Sequence, residues 1–310
     1  MDTRILAIVG PTGSGKSEVA VALCDSDGEI ISCDSVQIYR GFELGCAKPR
    51  TLERERVRHH LIDVANWNEP FDAARFRQLA TAAVSDIAAR GRRPILCGGT
   101  GLYLRVLRWG LVDAPASDPA LRERLFAREN AEPGSLFADL TRVDPVTALR
   151  TEPHNLVHIV RALEIFMLTG LPASDFRARH GFREEQLPMR VVALRWPRDM
   201  LRQRIRDRCE NMIRGGLVDE VRRLLSQGVS ERARPMLSVG YRETCDVVIG
   251  RQNLEGLAER IAASTWAYAR RQMTWLRRER DVSWLDITST EQAVRILGSN
   301  DGADRCAQNA

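Results

Sequence analysis

Apolar residues fall along this chain in two rhythms. Short unbroken runs at residues 5–9, 29–32, 94–97 and 190–194 are bounded by glycine or polar turns, the pattern of strands buried on both faces. Residues 59–63 read as a further short strand. Neighbouring strand residues point to opposite faces, so His59 and His60 are expected to pack and hydrogen-bond rather than share a metal. Between these runs apolar positions return every three or four residues. Phe76, Leu79, Ala83 and Ile87 mark one face of a helix over 71–89, ended by Gly91. A long helix is expected over 199–225, bearing Arg204, Arg208 and Met212 and closed by Gly228. Another helix follows the glycine turn 238–243, and a final amphipathic helix is expected over 254–279.

From residue 111 the texture changes. The stretch 113–188 is polar and helix-rich, with breaks at Pro115, Pro119, Pro133, Pro145, Pro153, Pro172 and Pro188. Ser117-Asp118-Pro119 is a helix start with Arg122 in its first turns, and 158–168 is a helix carrying Arg161 and Glu164. The expected organisation is an α/β core over 1–110 and 190–297, interrupted by a helical insertion over 111–189. A small polar tail over 298–310 is expected to be disordered.

The first apolar run feeds directly into Gly10-Pro11-Thr12-Gly13-Ser14-Gly15-Lys16-Ser17, a G-x-x-x-x-G-K-S sequence, and helical spacing resumes at Val19, Ala20 and Leu23. Strand, glycine loop and helix together define a P-loop and a P-loop NTPase-like parallel sheet. The glycines open backbone conformations that turn several N–H groups inward at a helix N-terminus, where they bind an anion. Lys16 adds a full charge against phosphate oxygens, and the Ser17 hydroxyl is a ligand for phosphate-bound Mg2+. The loop binds a phosphate chain without saying what is done with it.

Two further strand ends bear on that question. In an open α/β sheet ligands gather at the C-terminal ends of the strands, so Asp34, after the second run, is expected to face the phosphate crevice. A carboxylate there holds a metal, takes a proton or reads a substrate group; a helix N-cap is the structural alternative. The run 94–97 ends in Gly98-Gly99-Thr100-Gly101, where a P-loop ATPase or kinase carries an acid for Mg2+ or its water. Here a hydroxyl and bare backbone stand in that place.

Composition narrows the picture. At 310 residues with 44% hydrophobic content the chain has an ordinary core, no run of membrane-spanning length and no signal peptide, which points to the cytoplasm and to no membrane partner. The seven cysteines show no C-x-x-C or Cys/His pairing, so neither a zinc module nor a disulfide framework is indicated. Net charge is +5, but residues 190–280 carry twenty Arg against eleven acids, interleaved with Trp196, Tyr241, Trp266, Tyr268 and Trp275. Basic surface with flat side chains suits looped RNA; solvated helix faces with core tryptophans are the alternative. Only two of the 46 basic residues are Lys, Lys16 and Lys48. Lys48, in Ala47-Lys48-Pro49, is therefore a site candidate alongside drift.

The motifs add up in order: the phosphate loop, Asp34-Ser35-x-Gln37-x-Tyr39, Ala47-Lys48-Pro49, Gly98-Gly99-Thr100-Gly101-Leu102-Tyr103, Arg161-Ala162-Leu163-Glu164, Val239-Gly240-Tyr241 and Arg271-Gln272-x-Thr274-Trp275. Over residues 4–287 the chain resembles the tRNA dimethylallyltransferases, the tRNA isopentenyl-transferase family, in its bacterial form, since no zinc finger follows. The resemblance implies transfer of a dimethylallyl group from its diphosphate to N6 of the adenine just 3′ of the anticodon, in tRNAs reading codons that begin with U, by a monomer. It implies Asp34 as general base and Thr100 at the reacting site. Gly10 to Ser17 and Arg208 would hold the diphosphate, with Mg2+ at Ser17. It also implies contacts to the anticodon stem-loop from Asp34, Ser35, Val36, Gln37 and Thr100; from Arg122; from Val157, His158, Ile159, Val160 and Arg161; from Leu237, Ser238, Val239, Gly240, Tyr241 and Arg242; and from Arg270, Arg271, Gln272, Trp275 and Arg277. Lys48 joins these as a candidate. Asn155 and His158 depart from the family pattern, which often has Asp and Arg there. A P-loop nucleotide kinase or RNA-dependent ATPase is the alternative reading, resting on the loop alone.

Overall fold

The computed structural model describes residues 4–24 and 27–299. It is a mixed α/β protein built on one six-stranded, all-parallel sheet. The strands are β1 (Ile5–Val9), β2 (Gly28–Cys33), β3 (His59–His60), β4 (Arg93–Gly98), β5 (Met189–Arg195) and β6 (Val282–Asp286), in the order β3-β2-β4-β1-β5-β6. Ala7 of β1 pairs with Leu96 of β4 on one side and Val191 of β5 on the other. These central strands carry continuous apolar runs because helices cover both faces of a parallel sheet. The helices of this half are α1 (Lys16–Leu23), α2 (Thr51–Arg56), α3 (Ala73–Ala89) and α4 (Gly101–Trp109), followed after the insertion by the second half of the core.

The chain divides into two compact units, residues 1–108 with 186–310, and residues 109–185. The second unit holds α5 (Pro119–Ala131), α6 (Ser135–Val143), α7 (Pro145–Ala148), α8 (Leu156–Thr169) and α9 (Ala173–His180) around Leu125, Leu136, Leu140, Ile159 and Leu163. Asp118 caps α5, its carboxylate accepting from the Leu121 N–H at 3.0 Å. Glu164 is fully buried in this unit and accepts from Arg122, Arg161 and the Asp118 N–H. Burial opposes its charge, yet the Arg122 and Arg161 hydrogen bonds hold its carboxyl below the usual range.

The first unit is completed by α10 (Arg198–Arg214), α11 (Leu217–Ser226), α12 (Tyr241–Val248), α13 (Leu257–Leu276) and α14 (Thr290–Gly298). Several boundaries differ from those expected. The helix over 199–225 is two helices, broken at Gly215-Gly216, where Gly216 takes φ +97°. The helix over 254–279 is shorter, Leu257–Leu276, and is not the last element, because β6 and α14 follow it. Met189, assigned to the insertion, is the first residue of β5. The strand over 59–63 stops at His60, since Leu61 and Asp63 adopt left-handed φ values of 62° and 57°. Its histidines bond separately, as expected: His60 to the Glu29 carboxylate and His59 to the Val57 carbonyl, both at 2.7 Å. Residues 300–310 of the expected disordered tail lie outside the described residues. Among the described residues no single helix is long and apolar enough to cross a membrane.

Candidate active site

The site forms where β1, β2, β4 and β5 end. Strand β1 runs into the phosphate loop, in which Gly10, Gly13 and Gly15 have φ of 145°, 82° and 80°. A side chain at any of them is strained, and a Cβ on Gly10 would press on the Leu194 carbonyl at 3.0 Å. Gly15 is the N-cap of α1, so the loop's N–H groups converge at a helix N-terminus. The loop is braced from behind by α10 and the turn before it. Trp196 Nε1 donates to the Ser14 carbonyl at 3.0 Å, and Arg204 Nε donates to the Gly13 carbonyl at 2.9 Å while its guanidinium stacks over Trp196. Neither brace was assigned from sequence, because both join residues about 190 positions apart.

The cations of the loop are arranged for an anion. Lys16 is folded over it, donating to the Pro11 carbonyl at 2.8 Å. Burial, reinforced by the nearby Arg208 guanidinium and opposed by Cys97 and Asp34, pushes the Lys16 ammonium down to about 8. Burial lowers Arg208 as well. Two cations held this close, each below its ordinary pKa, are relieved by a polyanion. The Ser14 hydroxyl is buried in the loop without a hydrogen-bond partner among the described residues.

Strand β2 ends at Cys33 and delivers Asp34. Its Oδ1 accepts from the Val36 and Gln37 N–H groups at 2.8 and 3.2 Å, an Asx-type turn that fixes the carboxylate. Its Oδ2 has no protein hydrogen bond among the described residues. Strand β4 ends at Gly98, where a Cβ would lie 2.2 Å from the Cys33 carbonyl oxygen, so no acidic side chain fits there. The Thr100 hydroxyl accepts from the Ser35 N–H at 3.1 Å, which leaves its own hydrogen free to donate.

Two cavities border the phosphate loop and Asp34. One, of about 920 Å³, is lined by Gly13, Gly15, Lys16, Ser17, Arg204 and Arg208 and opens past Pro49 and Arg54. The other, of about 280 Å³, is lined by Thr12, Asp34, Ser35, Val36, Leu237, Ser238, Val239, Gly240, Arg242, Tyr268 and Arg271, with Cys46, Cys209 and Ile261 as apolar wall. Arg208 and Met212 line both. Tyr268, noted in the sequence only as an aromatic among arginines, thus stands in the Asp34 cavity. Burial, then the Asp34 charge, pushes its phenol up.

Other candidates sit differently from their assignment. Lys48 is not a surface cation: its side chain is 1% exposed, and its ammonium donates to the Tyr39 carbonyl, Glu43 and Asp63 at 2.9, 3.0 and 2.6 Å. Tyr241 is fully buried, and its phenol donates to Glu220 at 2.5 Å and accepts from the Gly45 N–H. Glu220 also accepts from the Glu43 and Leu44 N–H groups. The Gln37 amide is bound to Ser32, Cys46 and Ala47. These residues anchor the loop 43–48, which contributes Glu43, Leu44, Ala47 and Lys48 itself to the larger cavity and Gly45 and Cys46 to the smaller. Gln272 and Trp275 face inward against the phosphate loop and the Thr100 turn. In the second unit Ile159 and Val160 are core residues, whereas Val157 and His158 are exposed. Arg242, Arg270, Arg271, Arg277 and Leu237 are exposed on the first unit.

A parallel sheet whose first strand runs through a P-loop into a helix places the chain among the P-loop α/β proteins. The comparisons refine that class. A family model described as IPP transferase matches residues 37–279. The chain is 46% identical over 286 residues to tRNA dimethylallyltransferase 1 of Pelobacter propionicus, covering 91% of this chain and 92% of the relative. It is 48% identical over 285 residues to the tRNA dimethylallyltransferase of an Anaeromyxobacter species, covering 91% and 94%. Among solved structures, the tRNA isopentenylpyrophosphate transferase of Bacillus halodurans superposes with a TM-score of 0.70 at 33% identity, over 98% of this chain and 97% of that one. A eukaryotic dimethylallyltransferase acting on tRNA gives 0.77 at 26% identity, over 97% and 80%. The chain belongs to the IPP transferase family.

Proposed function

We propose that this protein transfers a dimethylallyl group from dimethylallyl diphosphate to the exocyclic N6 of an adenine in the anticodon loop of tRNA. The observation that carries the reading is the smaller cavity, which brings Asp34, Thr12 of the phosphate loop and Arg208 to one space of about 280 Å³. General base, phosphate cradle and cation thus border the same volume, and the neighbouring Leu44, Cys46, Met212 and Ile261 offer apolar surface for a prenyl chain.

The reaction balances as a substitution at carbon. The N6 lone pair forms a bond to the prenyl C1, the bond from C1 to the bridging diphosphate oxygen breaks, and the diphosphate leaves with that electron pair. The N6 proton passes to Asp34 Oδ2, the oxygen with no partner in the protein. An adenine amine is a weak nucleophile because its lone pair is delocalised into the ring, so proton removal has to accompany attack. Thr100 donates its free hydrogen to the bridging oxygen as negative charge gathers there. The loop N–H groups, Lys16 and Arg208 take up the rest of that charge. The target base has to leave its stack to reach a cavity of this size.

A divalent cation fits these residues as a companion of the substrate. No group of three or more His, Cys, Asp or Glu able to hold a metal occurs among the described residues. Mg2+ accepts few protein ligands and keeps its waters and phosphate oxygens, so the Ser17 hydroxyl suffices on the protein side. When bound, Mg2+ supplies charge neutralisation to the diphosphate.

On the first unit the exposed Arg242, Arg270, Arg271 and Arg277 offer cations to the phosphates of the anticodon stem-loop, and on the second unit Val157 and His158 are exposed to solvent. The kinase or ATPase alternative loses its footing at Gly98, where backbone contact leaves no room for the acid that reaction requires. The reading is tested by incubating protein, Mg2+ and unmodified tRNA with dimethylallyl diphosphate and digesting the tRNA to nucleosides. N6-dimethylallyladenosine is expected; its absence with folded protein overturns the reading.

A further inference from the structure

Helix α13 carries two kinds of residue on its inner side. Tyr268 and Arg271 line the Asp34 cavity. Gln272 and Trp275 lie against the turns that hold the reacting groups. The Gln272 Oε1 accepts from the Thr12 N–H at 2.8 Å, and its Nε2 donates to the Gly99 carbonyl at 2.9 Å. An N–H can only donate and a carbonyl can only accept, so the partners fix which end of the amide is which. The side chain joins two turns that are otherwise separate in the chain, and it is itself buried.

The glycines around Thr100 are the counterpart of this contact. A Cβ on Gly99 would lie 2.3 Å from Gln272 Nε2, and a Cβ on Gly101 would lie 2.4 Å from the Trp275 ring. Both positions are bare because α13 occupies the space. The Thr100 turn is shaped to receive the helix, and the helix reaches through it to the phosphate loop.

We propose that Gln272 is a positioning residue of the transfer step: its single amide fixes the phosphate loop, at Thr12, against the turn that bears Thr100. The inference rests on the prenyl-transfer reading above. Thr12 borders the diphosphate and Thr100 the bridging oxygen, so the amide sets the distance between leaving group and hydrogen donor. Because Tyr268 and Arg271 belong to the same helix, a base docking against them bears on the phosphate loop through this side chain. Both ends of the Gln272 amide are engaged by backbone, so its part is to hold the two turns in place.

The test uses the full-length protein with unmodified tRNA and dimethylallyl diphosphate, comparing parent, Gln272→Glu and Gln272→Met in single-turnover rate, tRNA affinity and melting temperature. Glu is isosteric with Gln, so the fold is kept. As a carboxylate it accepts from Thr12 but repels the Gly99 carbonyl; protonated, it makes both bonds. Burial raises the pKa of such a carboxyl. The Glu variant is expected to turn over about 10- to 100-fold slower than parent at pH 8, a cost typical of misplaced reacting groups. Its deficit relative to parent should shrink as the pH falls to 6. Gln272→Met should show a deficit that does not change with pH, and tRNA affinity should change by no more than about twofold in either variant. A folded Met variant turning over at the parent rate, or a Glu deficit flat from pH 8 to 6, overturns the proposal. If the parent itself transfers no prenyl group, the underlying reading fails instead.

Discussion

Binding of the donor should weaken as pH rises through 8, and Lys16 sets the size of the effect. In the free protein burial and Arg208 push its ammonium down to about 8. Its charge is therefore present below that pH and lost above it. If only the charged form binds a diphosphate well, the competent fraction falls from about 0.9 at pH 7 to about 0.1 at pH 9, a roughly tenfold rise in Kd. The terminal phosphate of the donor titrates near about 6, so it is ionised over most of this range and contributes little. The bound diphosphate restores the Lys16 pKa, so binding near pH 8 takes up about half a proton, and more toward pH 9. The assay is calorimetric titration of dimethylallyl diphosphate into protein and Mg2+ at pH 7, 8 and 9, in two buffers of different ionisation enthalpy at each pH. The buffer dependence of the heat gives the proton count directly. Lys16→Arg, with a guanidinium that stays charged, should lose the pH dependence even if it binds less tightly overall. A Kd that is constant from pH 7 to 9, with no proton uptake at pH 8, refutes the placement of a depressed lysine against the diphosphate.

Asp34→Asn should slow single-turnover transfer by roughly 10²- to 10⁴-fold with tRNA affinity unchanged, since the amide keeps the turn but cannot accept the N6 proton; equal rates would remove Asp34 as base. Lys48→Met should lower stability by about 1–3 kcal/mol, because Tyr39, Glu43 and Asp63 each lose a hydrogen bond from a buried ammonium, and denaturant unfolding reads this as a shifted midpoint. The same variant should bind tRNA like the parent once folded, and a loss of tRNA affinity without loss of stability would return Lys48 to the RNA surface. Replacing Arg270 and Arg271 by Ala should flatten the slope of log affinity against log salt by about 1–2 units, and an unchanged slope would place these arginines away from phosphates.

Much of the site was legible because its chemistry is local in sequence. The glycine spacing and lysine of the phosphate loop lie within eight residues, and the chain order strand-loop-helix predicts where that loop points. Asp34 followed from the rule that ligands gather at the C-terminal ends of parallel strands, which needs only the strand positions, whereas the place of Thr100 at the reacting site came from the family resemblance. What the sequence hid is long-range. Gln272 meets Thr12 across 260 residues, and nothing in the sequence around a glutamine that follows two arginines signals that bond. Tyr241 and Lys48 were marked by their motifs, but the carboxylates that bury them, Glu220 and Asp63, carry no local signature. The edge strand β6 was missed for a related reason: in Val282–Asp286 only Leu285 is buried, so the apolar run that marks the central strands is absent. The break at Gly215-Gly216 escaped because apolar spacing continues through it from Met212 to Leu217.

In the proposed reaction the phosphate loop holds a prenyl diphosphate while Asp34 activates an adenine amine in the adjoining cavity. The most direct measurement supplies the protein, Mg2+ and unmodified tRNA with either dimethylallyl diphosphate or ATP, and follows both the nucleosides by mass spectrometry and the released phosphates. Prenylated adenosine and an equal amount of free diphosphate should appear with dimethylallyl diphosphate, and neither product with ATP. Phosphate release from ATP stimulated by tRNA, with no prenylated adenosine from the diphosphate, would make the protein an ATPase instead.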